Sequence, residues 1–286
     1  MPRPPSSLLL VALLTLLGLA ACSGADDQPL AGGSGGATRE PTGSGPMTYV
    51  ALGDSFTAAP GVPPQLPGPC GRSSRNYPHV LADELDADLV DVSCGGADTT
   101  HVRTPQPLGE GSSVPPQLDA VTPDADLVTI GLGGNDLGLF ARLLRVCLTG
   151  SGCTQGAAAL QADLPTVERR VLRVVRAVRA AAPEAEVVVV GYPQLVGDET
   201  CERLPMAAGD LPAAREVNAG LADAVERAAE AGGARYVDLL EPSEGHDICS
   251  ADPWVNGFDL GAEAAPFHPF ASEQEAVAEL VADAVG

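Results

Sequence analysis

The sequence contains no lysine and few aromatic residues. Its 16 basic side chains are all arginines, they face 38 acidic ones for a formal charge of -22, and aromatics make up 3% of the chain. This balance excludes a nucleic-acid-binding protein, which needs a basic face, and it excludes electrostatic docking on an anionic lipid surface. The chain is nonetheless 45% hydrophobic, enough for one domain of about 240 residues around a large core.

The first residues indicate export. Arg3 precedes an apolar run from Leu8 to Ala21, which is too short for a transmembrane helix. The run closes with Leu19-Ala20-Ala21-Cys22, which resembles the lipobox of bacterial lipoproteins, and the resemblance implies a lipid anchor on Cys22. The alternative is an ordinary signal peptide cleaved nearby. We therefore expect an exported protein, either anchored on the extracellular face of the cell membrane or secreted.

Composition divides the chain into three parts. We expect a signal peptide over residues 1–21, then a flexible tether rich in Gly, Ser and Pro over residues 22–46, which begins with the lipobox cysteine. One folded domain, expected to be a monomer, occupies residues 47–286.

Six cysteines remain after Cys22, an even number in an exported chain, which favours disulfides. Many pairings are possible. We favour the sequential one, because each bond then closes a loop beside a predicted strand edge: Cys70–Cys94, Cys147–Cys153 and Cys201–Cys249. A zinc site is the alternative, but the sequence has no Cys-x2-Cys pair or histidine cluster. We expect no metal and no cofactor.

Five apolar runs alternate with helical patterns after the tether. The runs show little polar alternation, as in strands buried on both faces of a parallel sheet; they are Thr48–Leu52, Asp88–Val92, Asp126–Gly131, Glu186–Gly191 and Ala234–Asp238. This order predicts the α/β class, a three-layer α/β/α sandwich around a five-stranded parallel sheet with right-handed crossovers.

A short helix is predicted from Tyr77 to Leu85, and longer helical patterns lie between the last three runs and after them. Apolar residues recur at three- and four-residue spacing from Leu160 to Val178 and from Val217 to Ala228. The arginines of the first pattern fall largely on its other faces, and we interpret them as a solvated surface and not an anion site. Ser272 and Glu275 predict a capping box that starts the last helix.

Chemically useful residues follow each of the first three runs. They are Gly53-Asp54-Ser55, Cys94-Gly95-Gly96 and Gly133-Gly134-Asn135-Asp136. The carboxyl ends of parallel strands share one edge, so these turns converge. Ser55 offers a nucleophile, glycines let the backbone approach a substrate, and the Asn135 amide offers uncharged donors. Each residue also has an ordinary structural interpretation when taken alone: Ser55 as a helix cap, which is then the favoured one, Gly96 as a turn residue and Asn135 as a turn or cap residue.

A base must come from one of four histidines. His79 falls in a predicted helix and His101 in a loop rich in Pro and Thr. His246 lies close to Cys249, whereas His268 lies after the fifth run and just ahead of the last helix. That position places His268 on the same sheet edge as Ser55.

Four sequence blocks resemble, in the same order, those of the SGNH, or GDSL, hydrolases: Gly53-Asp54-Ser55, Gly96, Gly133-Gly134-Asn135-Asp136 and His268-Pro269. The resemblance covers about residues 47–286. It implies a flavodoxin-like fold with Ser55 as nucleophile and His268 as base. It also implies an oxyanion hole made by the Ser55 and Gly96 backbone N–H groups and the Asn135 side chain. The six-cysteine pattern is similar to that of secreted actinobacterial esterases and lipases with three disulfides.

One departure from the family pattern concerns the histidine. The family usually has an aspartate three residues before it, and here Ala265 stands there. A histidine base needs an acceptor for its second N–H. We favour a backbone carbonyl near Ala265, held by proline-restricted geometry; the alternative is that Asp259 or Glu263 folds back.

The resemblance implies a serine esterase or lipase that cleaves carboxylic esters of a small molecule or lipid through a Ser-His acyl-enzyme. Phospholipases and carbohydrate O-acetyl esterases share the same blocks, and the scarcity of aromatics slightly favours acyl chains over sugars. The rival is a non-catalytic lipoprotein that binds lipid or glycan with a degenerate site. The missing aspartate supports this rival, whereas the retention of all four blocks opposes it.

Overall fold

The computed structural model describes residues 45–148 and 152–286. The expected signal peptide, the lipobox cysteine Cys22 and nearly all of the tether lie outside the described residues. No helix within the described ranges is long and apolar enough to cross a lipid bilayer.

A five-stranded parallel sheet, in the order β2-β1-β5-β6-β7, forms the middle layer of the domain. Its strands are β1 (Met47–Gly53), β2 (Ala87–Asp91), β5 (Leu127–Gly131), β6 (Glu186–Val190) and β7 (Arg235–Val237). Two further strands, β3 (Gln106–Gly109) and β4 (Ser112–Val114), pair as a separate antiparallel hairpin. The five parallel strands match the five apolar runs of the sequence to within one or two residues at each end.

Helices cover both faces of the sheet. They are α1 (Ser55–Ala58), α2 (Tyr77–Leu85), α3 (Leu139–Leu148), α4 (Cys153–Ala181), α5 (Leu211–Gly232) and α6 (Ala271–Val285). Val50 and Leu52 of β1 share one core with β5, β6, α3, α4 and α5. Tyr49 and Ala51 face the other way and pack with α2 and α6. The predicted three-layer α/β/α architecture is confirmed.

Sheet register brings three loops to one edge. Gly53 at the end of β1 lies opposite Gly131 at the end of β5, so the segments that follow both strands leave the sheet side by side. On the other side of β1, Cys94 donates its backbone N–H to the Gly53 carbonyl at 3.1 Å. The first three blocks of the sequence therefore meet where the strands end.

The last helix starts differently from the prediction. Its N-cap is Phe270, and no side chain caps it. Ser272 lies inside the helix, and the Glu275 carboxylate bonds to Arg75 at 2.7 Å instead of returning to the helix start. The predicted capping box is wrong, because a long-range ion pair occupies the carboxylate that the box requires.

Three disulfides are present, Cys70–Cys94, Cys147–Cys153 and Cys201–Cys249, and they are the sequential pairs. The first lies in the candidate site, because the carbonyl of Cys70 accepts the N–H of Gly95 at 2.9 Å. It therefore ties the loop after β2 to the long segment between α1 and α2.

Candidate active site

Ser55 is the first residue of the one-turn helix α1, at the end of β1. Asp54 is the N-cap, and its carboxylate accepts the N–H of Phe56 at 2.8 Å. Gly53 is required by space, since a Cβ there would stand 2.1 Å from the Thr57 hydroxyl oxygen. The side chain of Ser55 is 8% exposed. The serine therefore does not act as the helix cap, and its hydroxyl is left for another role.

The Asp54 carboxylate joins the first and third blocks from within the core. The Tyr192 hydroxyl donates to it at 2.7 Å and accepts the Gly134 N–H at 2.8 Å. Burial raises the pKa of Asp54 to about 7, partly offset by these donated hydrogen bonds. Burial also raises the pKa of Tyr192 well above its usual value, so the phenol stays protonated and keeps donating. Asp54 thus holds the turn beneath the serine.

Two glutamines brace the same turn, and no local sequence pattern indicates either of them. The Gln117 side chain bonds both the N–H and the carbonyl of Gly53, at 2.9 and 2.8 Å. Gln274 of α6 donates to the Phe56 carbonyl at 2.9 Å and accepts the Tyr77 N–H at 2.7 Å. Buried amides that satisfy backbone groups on both sides leave the turn little freedom to move.

Gly96 and Asn135 lie on the two loops that flank the serine. Gly96 has a φ of 75°, a left-handed conformation that only glycine adopts readily. The Asn135 amide nitrogen donates to the Ala97 carbonyl at 3.0 Å, which links the two loops and leaves one amide proton. Within the described residues, the backbone N–H groups of Ser55 and Gly96 have no acceptor. The site therefore holds three N–H donors without partners.

Asp136 fixes the relative position of the second and third blocks. It is fully buried, and its carboxylate accepts the Thr99 N–H at 3.0 Å and the Thr99 hydroxyl at 2.7 Å. Arg170 of α4 pairs with it at 3.0 Å. A buried carboxylate with this many donors is well satisfied. It therefore fixes the positions of the Gly96 and Asn135 loops relative to each other.

His268 is oriented by a backbone carbonyl. Its Nδ1 lies 2.8 Å from the Pro266 carbonyl oxygen; since a carbonyl only accepts, Nδ1 carries the proton and Nε2 has the free lone pair. The prediction that Ala265 supplies this carbonyl is wrong by one residue. The Ala265 carbonyl instead accepts the His268 backbone N–H at 3.1 Å, which closes a four-residue turn.

The turn explains why the neighbouring carbonyl reaches the ring. Phe267, its third residue, has a φ of 60°, and a positive φ there after a proline defines a type II turn. In such a turn the central peptide is reversed relative to a type I turn, so the Pro266 carbonyl points toward the imidazole. Asn256 supports the loop by donating its side-chain amide to the Ala264 carbonyl at 2.9 Å.

Neither carboxylate considered from the sequence orients the histidine. The Asp259 side chain accepts the Gly261 N–H at 2.8 Å, and within the described chain no hydrogen bond joins Asp259 or Glu263 to the His268 ring. His246, the other histidine considered, stacks on Trp254 with ring centroids 4.7 Å apart and bonds the Asp252 carbonyl.

The surroundings of His268 favour the neutral ring and place it against the residue that follows Ser55. Its ring centroid is 5.9 Å from that of Phe56, the residue after Ser55. Burial lowers the pKa of His268 below its usual value, with a partial offset from the Pro266 carbonyl. No hydrogen bond joins Ser55 to His268 in this part of the chain; such bonds are often loose until a substrate binds.

The described residues contain no cluster of three or more His, Cys, Asp or Glu side chains arranged to hold a metal ion. What the site offers is a buried hydroxyl, a neutral imidazole and several unpartnered N–H groups. This set suits nucleophilic acyl transfer.

Comparisons with known proteins give the family. A family model described as the GDSL-like Lipase/Acylhydrolase family matches residues 51–272. Lipase 2 of Streptomyces coelicolor is 38% identical over 262 residues, which cover 84% of this chain and 86% of that protein. The Streptomyces rimosus Lipase is 33% identical over 240 residues, 79% of this chain and 82% of its own.

Solved structures agree. The phospholipase A1 of Streptomyces albidoflavus NA297 superposes with a TM-score of 0.72 at 28% identity, covering 84% of this chain and 99% of its own. For the extracellular lipase of Streptomyces rimosus the TM-score is 0.73 at 28% identity, and the match covers 83% of this chain and 99% of that lipase. The match in sequence motifs, family model and fold thus extends over most of the chain, which belongs to the GDSL-like lipase/acylhydrolase family of ester hydrolases.

Proposed function

We propose that the chain cleaves carboxylic esters with Ser55 as the nucleophile and His268 as the general base. The observation that carries this proposal is the convergence of the serine, the histidine and the unpartnered N–H donors at one edge of the sheet. Each comes from a different segment, and each segment is held by its own buried hydrogen bonds. A merely structural serine would not need such an arrangement.

The chemistry follows from the geometry. The Ser55 hydroxyl attacks the acyl carbonyl and gives its proton to Nε2 of His268, which passes it to the departing alcohol. The oxyanion of the tetrahedral intermediate is bound by the N–H groups of Ser55 and Gly96 and by the Asn135 amide. Water then attacks the acyl-enzyme, with His268 again taking the proton, and releases the acid. No cofactor takes part in these steps.

Pro266 replaces the usual aspartate in this scheme. Its carbonyl fixes the tautomer in which Nε2 is free, and its dipole stabilises the imidazolium that forms during attack. A neutral carbonyl stabilises that cation less than a carboxylate does. The arrangement therefore relies on rigid positioning, which the type II turn and Asn256 supply.

A fluorophosphonate probe tests the assignment directly. We expect the wild-type protein to be labelled on Ser55 and Ser55→Ala to be unlabelled, while Ser112→Ala, which alters an exposed serine of the β3–β4 hairpin, labels normally. Absence of labelling in folded wild-type protein would favour the rival, a non-catalytic binding protein.

We further propose that the substrate carries an apolar acyl chain. Phe258 and Leu260 are 60% and 80% exposed, among the few large apolar side chains exposed in the described residues. Both lie on the loop that leads to the histidine, and Phe258 contacts Phe267 with ring centroids 6.1 Å apart. Relatives named as lipases and one titled phospholipase A1 support this class over sugar esters.

A series of p-nitrophenyl esters of increasing chain length tests the acyl preference. We expect Phe258→Ser with Leu260→Ser to raise KM for long-chain esters several-fold and to leave the acetate ester unchanged. Val90→Ser removes an exposed apolar side chain from the edge strand β2, outside the loop of Phe258 and Leu260, and is the matched control. Equal effects on all chain lengths would contradict a role in acyl binding.

We propose, finally, that the protein is exported and anchored through Cys22. Three disulfides fit an oxidising compartment, and a solved relative is titled an extracellular lipase. We expect the protein to sediment with membranes and Cys22→Ala to prevent lipidation. Mass spectrometry that finds an unmodified, freely secreted N-terminus would contradict the anchor.

A further inference from the structure

A cavity lies beside the segment that follows the loop of Gly96. It has a volume of about 330 Å³ and opens between the 3-10 helix Thr99–Val102 and α4. Val102 and Val174, 1% and 4% exposed, contribute apolar surface. Three guanidinium groups also line it, those of Arg103, Arg170 and Arg173, and no carboxylate within the described chain is among its lining residues.

The pairing of the arginines sets this cavity apart. Within residues 45–148 and 152–286, three arginine side chains make no hydrogen bond or ion pair, those of Arg103, Arg173 and Arg176. Two of these three line the cavity. Both side chains are exposed and therefore solvated in the free protein, and an anion that enters the cavity meets two guanidinium groups that no carboxylate of the described residues neutralises.

The remaining polar groups of the cavity leave the guanidinium groups as its free donors. The Thr99 hydroxyl donates to Asp136, and the Thr100 hydroxyl donates to Asp98. The Thr104 hydroxyl donates to the Thr100 carbonyl. Arg170 uses one nitrogen on Asp136 and keeps further N–H groups. A ligand here meets donors from two separate elements, the end of the 3-10 helix and α4.

We propose that this cavity binds a phosphate oxyanion. Guanidinium forks that approach from two elements suit the three or four oxygens of a tetrahedral phosphate better than the two coplanar oxygens of a carboxylate. The valines give room to carbon atoms attached to the phosphate. The phosphate is either free or part of a phospholipid headgroup. Arg173 is exposed, as the sequence-based interpretation of a solvated surface expects; the proposal adds that Arg170 and Arg173 also bind an anion.

Binding of inorganic phosphate to the full-length protein tests the proposal without any catalysis. In titration calorimetry at constant ionic strength, we expect saturable binding that weakens about tenfold or more in Arg103→Gln with Arg173→Gln. Arg176→Gln, an unpaired arginine one turn further along α4 and outside the cavity, should bind like wild type. Acetate should bind at least tenfold more weakly than phosphate.

Kinetics distinguish the two sources of phosphate, and this second arm rests on the proposed esterase activity. Both substrates are measured in phosphate-free buffer. A headgroup site predicts that the double variant has an about tenfold higher KM for monomeric dihexanoyl phosphatidylcholine and an unchanged KM for p-nitrophenyl butyrate. A site for free phosphate predicts an unchanged KM for both. The proposal is overturned if wild type does not bind phosphate, if the double variant binds it equally well, or if acetate binds as tightly.

Discussion

At the scale of single residues, His268 owes its orientation to a peptide carbonyl and not to an acid. Phe267 makes this possible by adopting a φ of 60°, a conformation that is strained for a bulky residue and persists only where the surroundings hold it. The missing aspartate is visible in the sequence, and the preference for a carbonyl follows from it. Which carbonyl is used depends on the turn type. A glycine at position 267 would have indicated a positive φ, whereas a phenylalanine does not.

The first prediction concerns the carboxylates near this turn. We expect Asp259→Asn and Glu263→Gln to keep kcat within about threefold of wild type, because neither group bonds the ring. His268→Ala should lose activity by at least about 10⁴-fold, because loss of a triad histidine costs on the order of 10⁶. Steady-state kinetics with circular dichroism as a folding control measure this. A loss of more than about a hundredfold in either folded carboxylate variant would contradict the carbonyl assignment.

The second prediction concerns pH. The base must be neutral to accept a proton, and burial lowers the pKa of His268 below 6.5. We therefore expect kcat/KM for a neutral ester to rise with pH and level off, with its midpoint below 6.5. Titration of the His268 imidazole by NMR in Ser55→Ala should give the same low midpoint. A midpoint of 7 or above in both measurements would refute a buried neutral base.

At the scale of the elements, the central strands β1, β5 and β6 were predictable because burial on both faces leaves continuous apolar runs, and the first three runs each end at a loop that carries a motif. The start of α6 was not predictable, because the Glu275 carboxylate forms an ion pair with Arg75, a partner 200 residues away. Nor does the sequence show that Glu273, in the first turn of the same helix, is 1% exposed. A glutamate near a helix N-terminus usually faces solvent.

The third prediction concerns this buried glutamate. Burial raises the pKa of Glu273 to about 8, partly offset by a hydrogen bond from Gln274. Between about 4.5 and 8 the folded state therefore binds more protons than the unfolded state, so Glu273 lowers the free energy of unfolding as pH rises. Asp54, with a pKa of about 7, acts in the same direction up to about pH 7.

We expect Glu273→Gln to raise Tm at pH 8 by several degrees and to change it little at pH 5, since glutamine cannot ionise. Glu279→Gln, on the exposed side of α6, should leave Tm unchanged at both pH values. Thermal unfolding followed by circular dichroism measures both variants. A Glu273→Gln variant that loses stability equally at pH 5 and pH 8 would contradict the sign of the shift.

At the scale of the whole molecule, the topology decided how much of the site could be foreseen. Alternating strands and helices imply that loops after parallel strands share an edge, which was enough to bring Ser55, Gly96, Asn135 and His268 together. The braces beneath them were not foreseeable. Tyr192 reaches Asp54 across 138 residues, and Gln274 reaches Phe56 across 218. Such contacts depend on the packing of distant helices and loops, which no local pattern encodes.

The structure of the protein after reaction with a phosphonate ester tests the central claim most directly, because the adduct mimics the tetrahedral intermediate. We predict phosphorus bonded to the Ser55 oxygen, with one phosphonyl oxygen about 2.7–3.1 Å from the N–H groups of Ser55 and Gly96 and from the Asn135 amide, and with Nε2 of His268 facing the ester oxygen. A phosphonyl oxygen turned to solvent, or phosphorus on another side chain, would contradict the account.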